Sequence, residues 1–152
     1  LFPYTTLFRS MMDEFHALLE IADQYDLLIG VEPELANIID SAPRARTLID
    51  TLRSDRIRIV LDPANLAEVA TPDQRRAIIA DAVALLSDRI VMAHAKDRNA
   101  DGSFATAGKG VVDFPHFLDA LAKSGFNGSL VTHGLAVDEA AGVATYLKSI
   151  LA

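Results

Sequence analysis

Four apolar runs recur along the chain, each closing on a polar residue that a strand end can present. They are Leu27-Leu28-Ile29-Gly30-Val31 before Glu32, Ile57-Arg58-Ile59-Val60-Leu61 before Asp62, Ile90-Val91-Met92-Ala93 before His94, and Ser129-Leu130-Val131-Thr132 before His133. The runs are continuous rather than alternating, which predicts parallel strands buried on both faces under helices. Between them the apolar spacing changes to that of a helix. Phe15, Leu18, Leu19, Ala22 and Tyr25 mark one over Met12 to Tyr25. A second starts near Ser41, with Pro43 in its first turn and Leu48 and Leu52 facing inward. Thr71, Pro72 and Gln74 read as the cap, first residue and capping-box partner of a third, whose apolar face holds Ile78, Ile79, Val83 and Leu86. A fourth opens at Asp113 and stops at Gly125, and the last runs from about Asp138 to Leu151.

Strands alternating with helices, at spacings of roughly thirty to forty residues, are βα units joined by crossovers. An open doubly wound sheet would need a glycine-rich loop after its first strand, and none is present. An open sheet would also spread the four strand ends along a line, whereas barrel curvature turns them toward one centre. A full (β/α)₈ barrel takes about 250 residues. The expected fold is therefore α/β, the carboxyl-terminal half of a (β/α)₈ TIM barrel, with about four parallel βα units preceded by one helix.

Leu1 to Ser10, LFPYTTLFRS, does not read as the start of a fold. It resembles the in-frame translation of a sequencing adapter fused to a truncated reading frame, and lacks the basic start and long apolar centre of a signal peptide. The expected organisation is a non-native segment at 1–10 and a partial barrel domain at 11–152. Half a barrel exposes two sheet edges and an apolar inner face, which predicts association, such as a homodimer that closes the barrel. Alone, such a fragment is expected to be inactive.

Hydrophobic residues make up 51% of the 152 and charged residues 23%, ordinary for an α/β domain. The net charge is −7 with Lys and Arg scattered, which argues against a nucleic-acid surface. No run approaches a membrane span. The absence of cysteine excludes disulfides and thiolate metal sites and fits a cytoplasmic protein.

Taken singly, Glu32 and Asp62 read as solvated turn carboxylates and His94 as a satisfied core histidine. Taken together at successive strand ends, Glu32, Asp62, His94 and His133 offer two oxygen and two nitrogen ligands to a divalent metal. Lys96 and Asp97, just beyond His94, read either as substrate-binding groups or as a surface ion pair. Gly108 and Gly110 read either as a loop over the site or as a plain turn.

Glu32-Pro33-Glu34 with Asn37, Asp62-Pro63-Ala64-Asn65, His94-Ala95-Lys96-Asp97 and Gly108-Lys109-Gly110 before Val112-Asp113 resemble the sugar phosphate isomerase/epimerase family. That family shares the xylose isomerase-like TIM barrel, and the resemblance covers Met11 to Ala152 as its last four βα units. It implies a divalent metal held by a glutamate, an aspartate, a histidine and a second glutamate, which fall on Glu32, Asp62, His94 and His133. The last is a departure, because histidine stands where the family has glutamate. An imidazole suits Mn²⁺, Zn²⁺ or Co²⁺ better than Mg²⁺.

The resemblance further implies that Asn65 touches substrate, a sugar or polyol. It implies isomerisation or epimerisation through an enediolate, with Glu32 as base and His133 as the opposing acid–base group. Two other readings stand beside it: a metal-dependent phosphodiesterase of the endonuclease IV type, which would need about three metals and a basic surface, and a non-catalytic truncated barrel.

Overall fold

The computed structural model describes residues 6–151, and its elements follow the predicted order. Helix α1 (Thr6–Gln24) leads into strand β1 (Ile29–Val31), and α2 (Ala42–Leu52) into β2 (Ile57–Leu61). A short α3 (Pro63–Leu66) and a long α4 (Pro72–Leu86) lead into β3 (Ile90–Ala95). A two-stranded ribbon, β4 (Asp97–Arg98) and β5 (Phe104–Ala105), precedes α5 (Phe114–Lys123). Then come β6 (Ser129–Thr132), a 3₁₀ turn (Val137–Glu139) and α6 (Ala140–Leu151).

Strands β1, β2, β3 and β6 form one parallel sheet in that order. Parallel neighbours need a crossover, and a helix supplies each one. Helices α2, α4, α5 and α6 pack side by side in chain order, so they form one layer along the sheet. Leu48 and Ile49 of α2, Val83 and Leu86 of α4, and Phe114 and Phe117 of α5 are buried in the same core as Ile57, Ile59, Leu61, Ala93 and Ala95 of the strands.

Side chains alternate across a strand, so every second residue faces away from those helices. In β2, Ile57, Ile59 and Leu61 are buried while Arg58 and Val60 are only half-buried. The register carries this alternation across the sheet: Gly30 pairs with Arg58, Val60 with Met92, and His94 with Val131. Burial on both faces is thus met on the helix side alone. The physical reason is the number of strands, since the middle of a closed barrel is filled by side chains from the opposite wall.

Several helix ends form as the sequence predicts. Gln74 Oε1 accepts from the Thr71 N–H at 2.9 Å, Asp113 Oδ1 accepts from the His116 N–H at 3.0 Å, and Gly125 follows α5 with φ +80°. Ser41 precedes α2 with no side-chain cap bond; its carbonyl takes the Ala45 N–H instead. Helix α1 begins earlier than the predicted Met12, because Phe8 and Met12 prolong the stripe of Phe15 and Leu19 and are themselves buried. The first turn expected at Asp138 is a 3₁₀ turn rather than α-helix.

The β4–β5 ribbon and the loop after it were not legible as elements, and Asp97 organises them. Continuing the alternation of Ala93 and Ala95, Asp97 points to the helix side, where it is fully buried. Its Oδ1 accepts from the N–H of Arg98 (2.9 Å) and Val112 (3.0 Å), and its Oδ2 from Gly108 (3.0 Å) and Gly110 (2.9 Å). Gly110 is needed for this approach, because a Cβ there would collide with the Arg98 carbonyl and the Asp97 carboxylate. Asp97→Asn puts an amide donor against two of those N–H groups. The expected loss is about 2–3 kcal/mol, read from urea unfolding; an unchanged midpoint would show that the loop is held by other contacts.

Candidate metal centre

The alternation that sends Asp97 to the helices sends Glu32, Asp62, His94, Lys96 and His133 to the opposite side. His94 lies inside β3 rather than just after it, because that strand runs on to Ala95. Asp62 follows β2 directly and caps α3, its Oδ1 accepting from the N–H of Ala64 (2.8 Å) and Asn65 (3.2 Å). Pro63 in the first helical position needs no donor there.

The other oxygen of Asp62 has a different fate. Oδ2 is buried and makes no hydrogen bond, a condition that costs about 1–3 kcal/mol for a neutral group and more for a charged one. Around it stand His94 Nδ1 at 3.5 Å, His133 Nε2 at 3.6 Å and Lys96 Nζ at 3.8 Å. The two imidazole nitrogens are 3.2 Å apart, with the rings edge to face. Glu32 Oε1 lies 3.4 Å from His94 Nδ1.

These separations can be compared with a coordination sphere. Ligand atoms bound at about 2.0–2.2 Å in a tetrahedron stand roughly 3.3–3.6 Å from one another. Asp62, His94 and His133 each present one ligand atom within 4.8 Å of the others, a set that can hold a metal ion. Glu32 adjoins this set through His94. The donors, one or two carboxylate oxygens and two imidazoles, suit a borderline divalent ion.

The electrostatics agree. The His94 imidazole is pushed up to about 9, chiefly by the Asp62 carboxylate beside it and then by Glu32, against the opposing effect of burial. Burial drives the Asp62 carboxyl upward, yet the approach of His94, the Lys96 charge and the Asn65 N–H together hold it below its ordinary value. A field that retains a proton on His94 is one that also attracts a cation.

A second layer of residues fixes the first. Asn65, almost fully buried, donates from Nδ2 to Glu32 Oε1 at 2.7 Å. Its Oδ1 accepts from Lys96 Nζ at 2.6 Å and from Arg98 Nη2 at 3.3 Å, which sets the direction of the amide. Arg98 also reaches the Gly102 carbonyl (2.9 Å) and Glu68 (3.3 Å). Of the residues expected at the site, Glu32, Asp62, Asn65, Lys96, His94 and His133 come together, and Asp97 does not. Arg98 was missed, although period-two spacing from His94 through Lys96 would have found it.

A profile of the family described as xylose isomerase-like TIM barrel matches residues 3–148. No curated protein matches the chain. Among solved structures, a xylose isomerase domain protein from Planctomyces limnophilus aligns with TM-score 0.78 at 17% identity, over 97% of this chain and 53% of that one. A D-tagatose 3-epimerase-like protein aligns with TM-score 0.72 at 22% identity, over 90% and 51%. The 3-keto-D-glucoside 4-epimerase from E. coli aligns with TM-score 0.72 at 20% identity, over 90% and 51%. The chain thus spans about half the length of these structures, and its four parallel βα units correspond to half a barrel. By fold and by profile, it belongs to the xylose isomerase-like TIM barrel family.

Proposed function

We propose that this chain carries the metal-binding part of a divalent-metal-dependent sugar isomerase or epimerase, working through an enediolate in the whole protein. The observation that supports it most is the buried, unpartnered Asp62 Oδ2 with two imidazole nitrogens turned toward it. Asp62, His94 and His133 would hold the ion, with Glu32 beside them; Mn²⁺, Zn²⁺ or Co²⁺ fits this donor set better than Mg²⁺. When bound, such an ion supplies Lewis acidity that polarises a carbonyl or hydroxyl oxygen.

The remaining chemistry falls to the chain's own groups. Glu32 is the proposed base that takes the proton from the carbon next to the carbonyl, its Oε1 aimed by the Asn65 amide. Lys96 and Asn65 would meet the substrate's oxygens. Resemblance gives His133 two roles, ligand and opposing acid–base group. Its Nε2 faces the cluster, and one nitrogen cannot hold a cation and carry a proton at once. Assigning Nε2 to the ligand role leaves Glu32 as a single base. One base that returns the proton to the neighbouring carbon moves the carbonyl one carbon along the chain, so we favour isomerisation over epimerisation.

Two measurements follow. Calorimetric titration of the intact protein with Mn²⁺ is expected to show one site per chain. Asp62→Ala should abolish it, and Asn65→Ala should weaken it about 10–100-fold, as for other outer partners of metal ligands; equal affinity in Asp62→Ala would remove the site from this cluster. In D₂O with Mn²⁺ and a panel of ketoses, the intact protein should exchange the hydrogen beside the substrate carbonyl. Glu32→Gln should slow that exchange by about 10²–10⁴-fold, and exchange unaffected by the change would exclude Glu32 as the base.

A further inference from the structure

We propose that the substrate carries a carboxylate, and that Lys96 is the residue that selects it. This rests on the metal-site reading above and deepens it by naming the substrate class. Lys96 is about nine-tenths buried at the side chain, an expensive position for an ammonium without an anion beside it. Among the described residues the carboxylate oxygen within reach is Asp62 Oδ2, at 3.8 Å. That is the oxygen on which the ion would sit. The other contact of Nζ is the neutral Asn65 carbonyl at 2.6 Å. Phe104, on β5, covers the ammonium with its ring centroid 5.0 Å from Nζ and lies 4.9 Å from the Arg98 guanidinium. The ring, itself largely exposed, offers the Lys96 charge a cation–π contact but no counter-charge.

The balance of charge completes the argument. Arg98 and Glu68 lie 3.3 Å apart and neutralise each other. Glu32 and Asp62 bring two negative charges, Lys96 one positive and a divalent ion two more. Neutral imidazoles at 94 and 133 add none, so one positive charge is left over. A second glutamate at position 133, as the family resemblance implies, would have cancelled it. With His133 in its place, the missing negative charge comes from the ligand. With Nζ 3.8 Å from Asp62 Oδ2, a carboxylate paired with Lys96 would lie close to a carbonyl held at this cluster, as in a sugar acid such as a 2-keto aldonic acid.

The test is calorimetry on the intact, Mn²⁺-loaded protein with two probes of like shape, 2-keto-D-gluconate and D-fructose, which differ by the carboxylate. The acid is expected to bind about tenfold tighter or more, as for a charge-assisted contact. Lys96→Met, similar in length, should remove that preference while Mn²⁺ stoichiometry stays at one. Equal binding of the two probes by the unaltered protein, or a preference retained in Lys96→Met, would overturn the proposal while leaving the metal site intact. Tighter binding of D-fructose 1-phosphate than of the acid would overturn the choice of carboxylate. Failure of the intact protein to take up Mn²⁺ would overturn the function proposed above and this inference with it.

Discussion

Asp62 divides its two oxygens between the fold and the site, and the rest of the centre is arranged around that division. Oδ1 closes the first turn of α3 and so fixes the carboxylate plane. Oδ2 is thereby turned away from every backbone donor, into a place where two imidazoles and an ammonium face it. A buried carboxylate oxygen in that position has to be compensated. Without a cation the compensation comes from His94, whose imidazole is driven up to about 9 by the two carboxylates next to it.

The sheet makes this possible through its period of two. Parallel strands, with one register shift between β2 and β3 at Ile59 and Val60, bring Glu32, Asp62, His94 and His133 to one side. The alternation carried on through Lys96, between β3 and β4, to Arg98 brings those two to the same side. Asp97, one residue out of phase, serves the loop instead. Its four backbone partners hold Gly108 to Val112 against the β4–β5 ribbon, which in turn carries Phe104 over Lys96. A support that never touches the cluster thus shapes the space beside it.

Much of this was legible in the chain. Continuous apolar runs located all four parallel strands, and the caps at Thr71 and Asp113 located two helices. The residues closing each run named the cluster, because a strand end in a βα fold is where polar groups can converge. Three features were hidden for identifiable reasons. The ribbon strands are two residues each, too short for any periodicity. Asp97 looked like a partner of Lys96 because adjacency in sequence was weighed above alternation, which places them on opposite faces. Arg98 reads as an ordinary surface charge until the strand phase is followed past His94. The half-covered inner face could not be read from apolar runs, because those same runs would be buried on both sides once an opposite wall is present.

The claim that the whole account turns on is that a cation belongs at Asp62 Oδ2. Crystals of the intact protein grown with Mn²⁺ and measured at the manganese absorption edge address it directly. The account predicts one anomalous peak within bonding distance of Asp62 Oδ2, His94 Nδ1 and His133 Nε2 together. Crystals that hold manganese elsewhere, with Asp62 Oδ2 hydrogen-bonded to Lys96 or to a histidine, would contradict it.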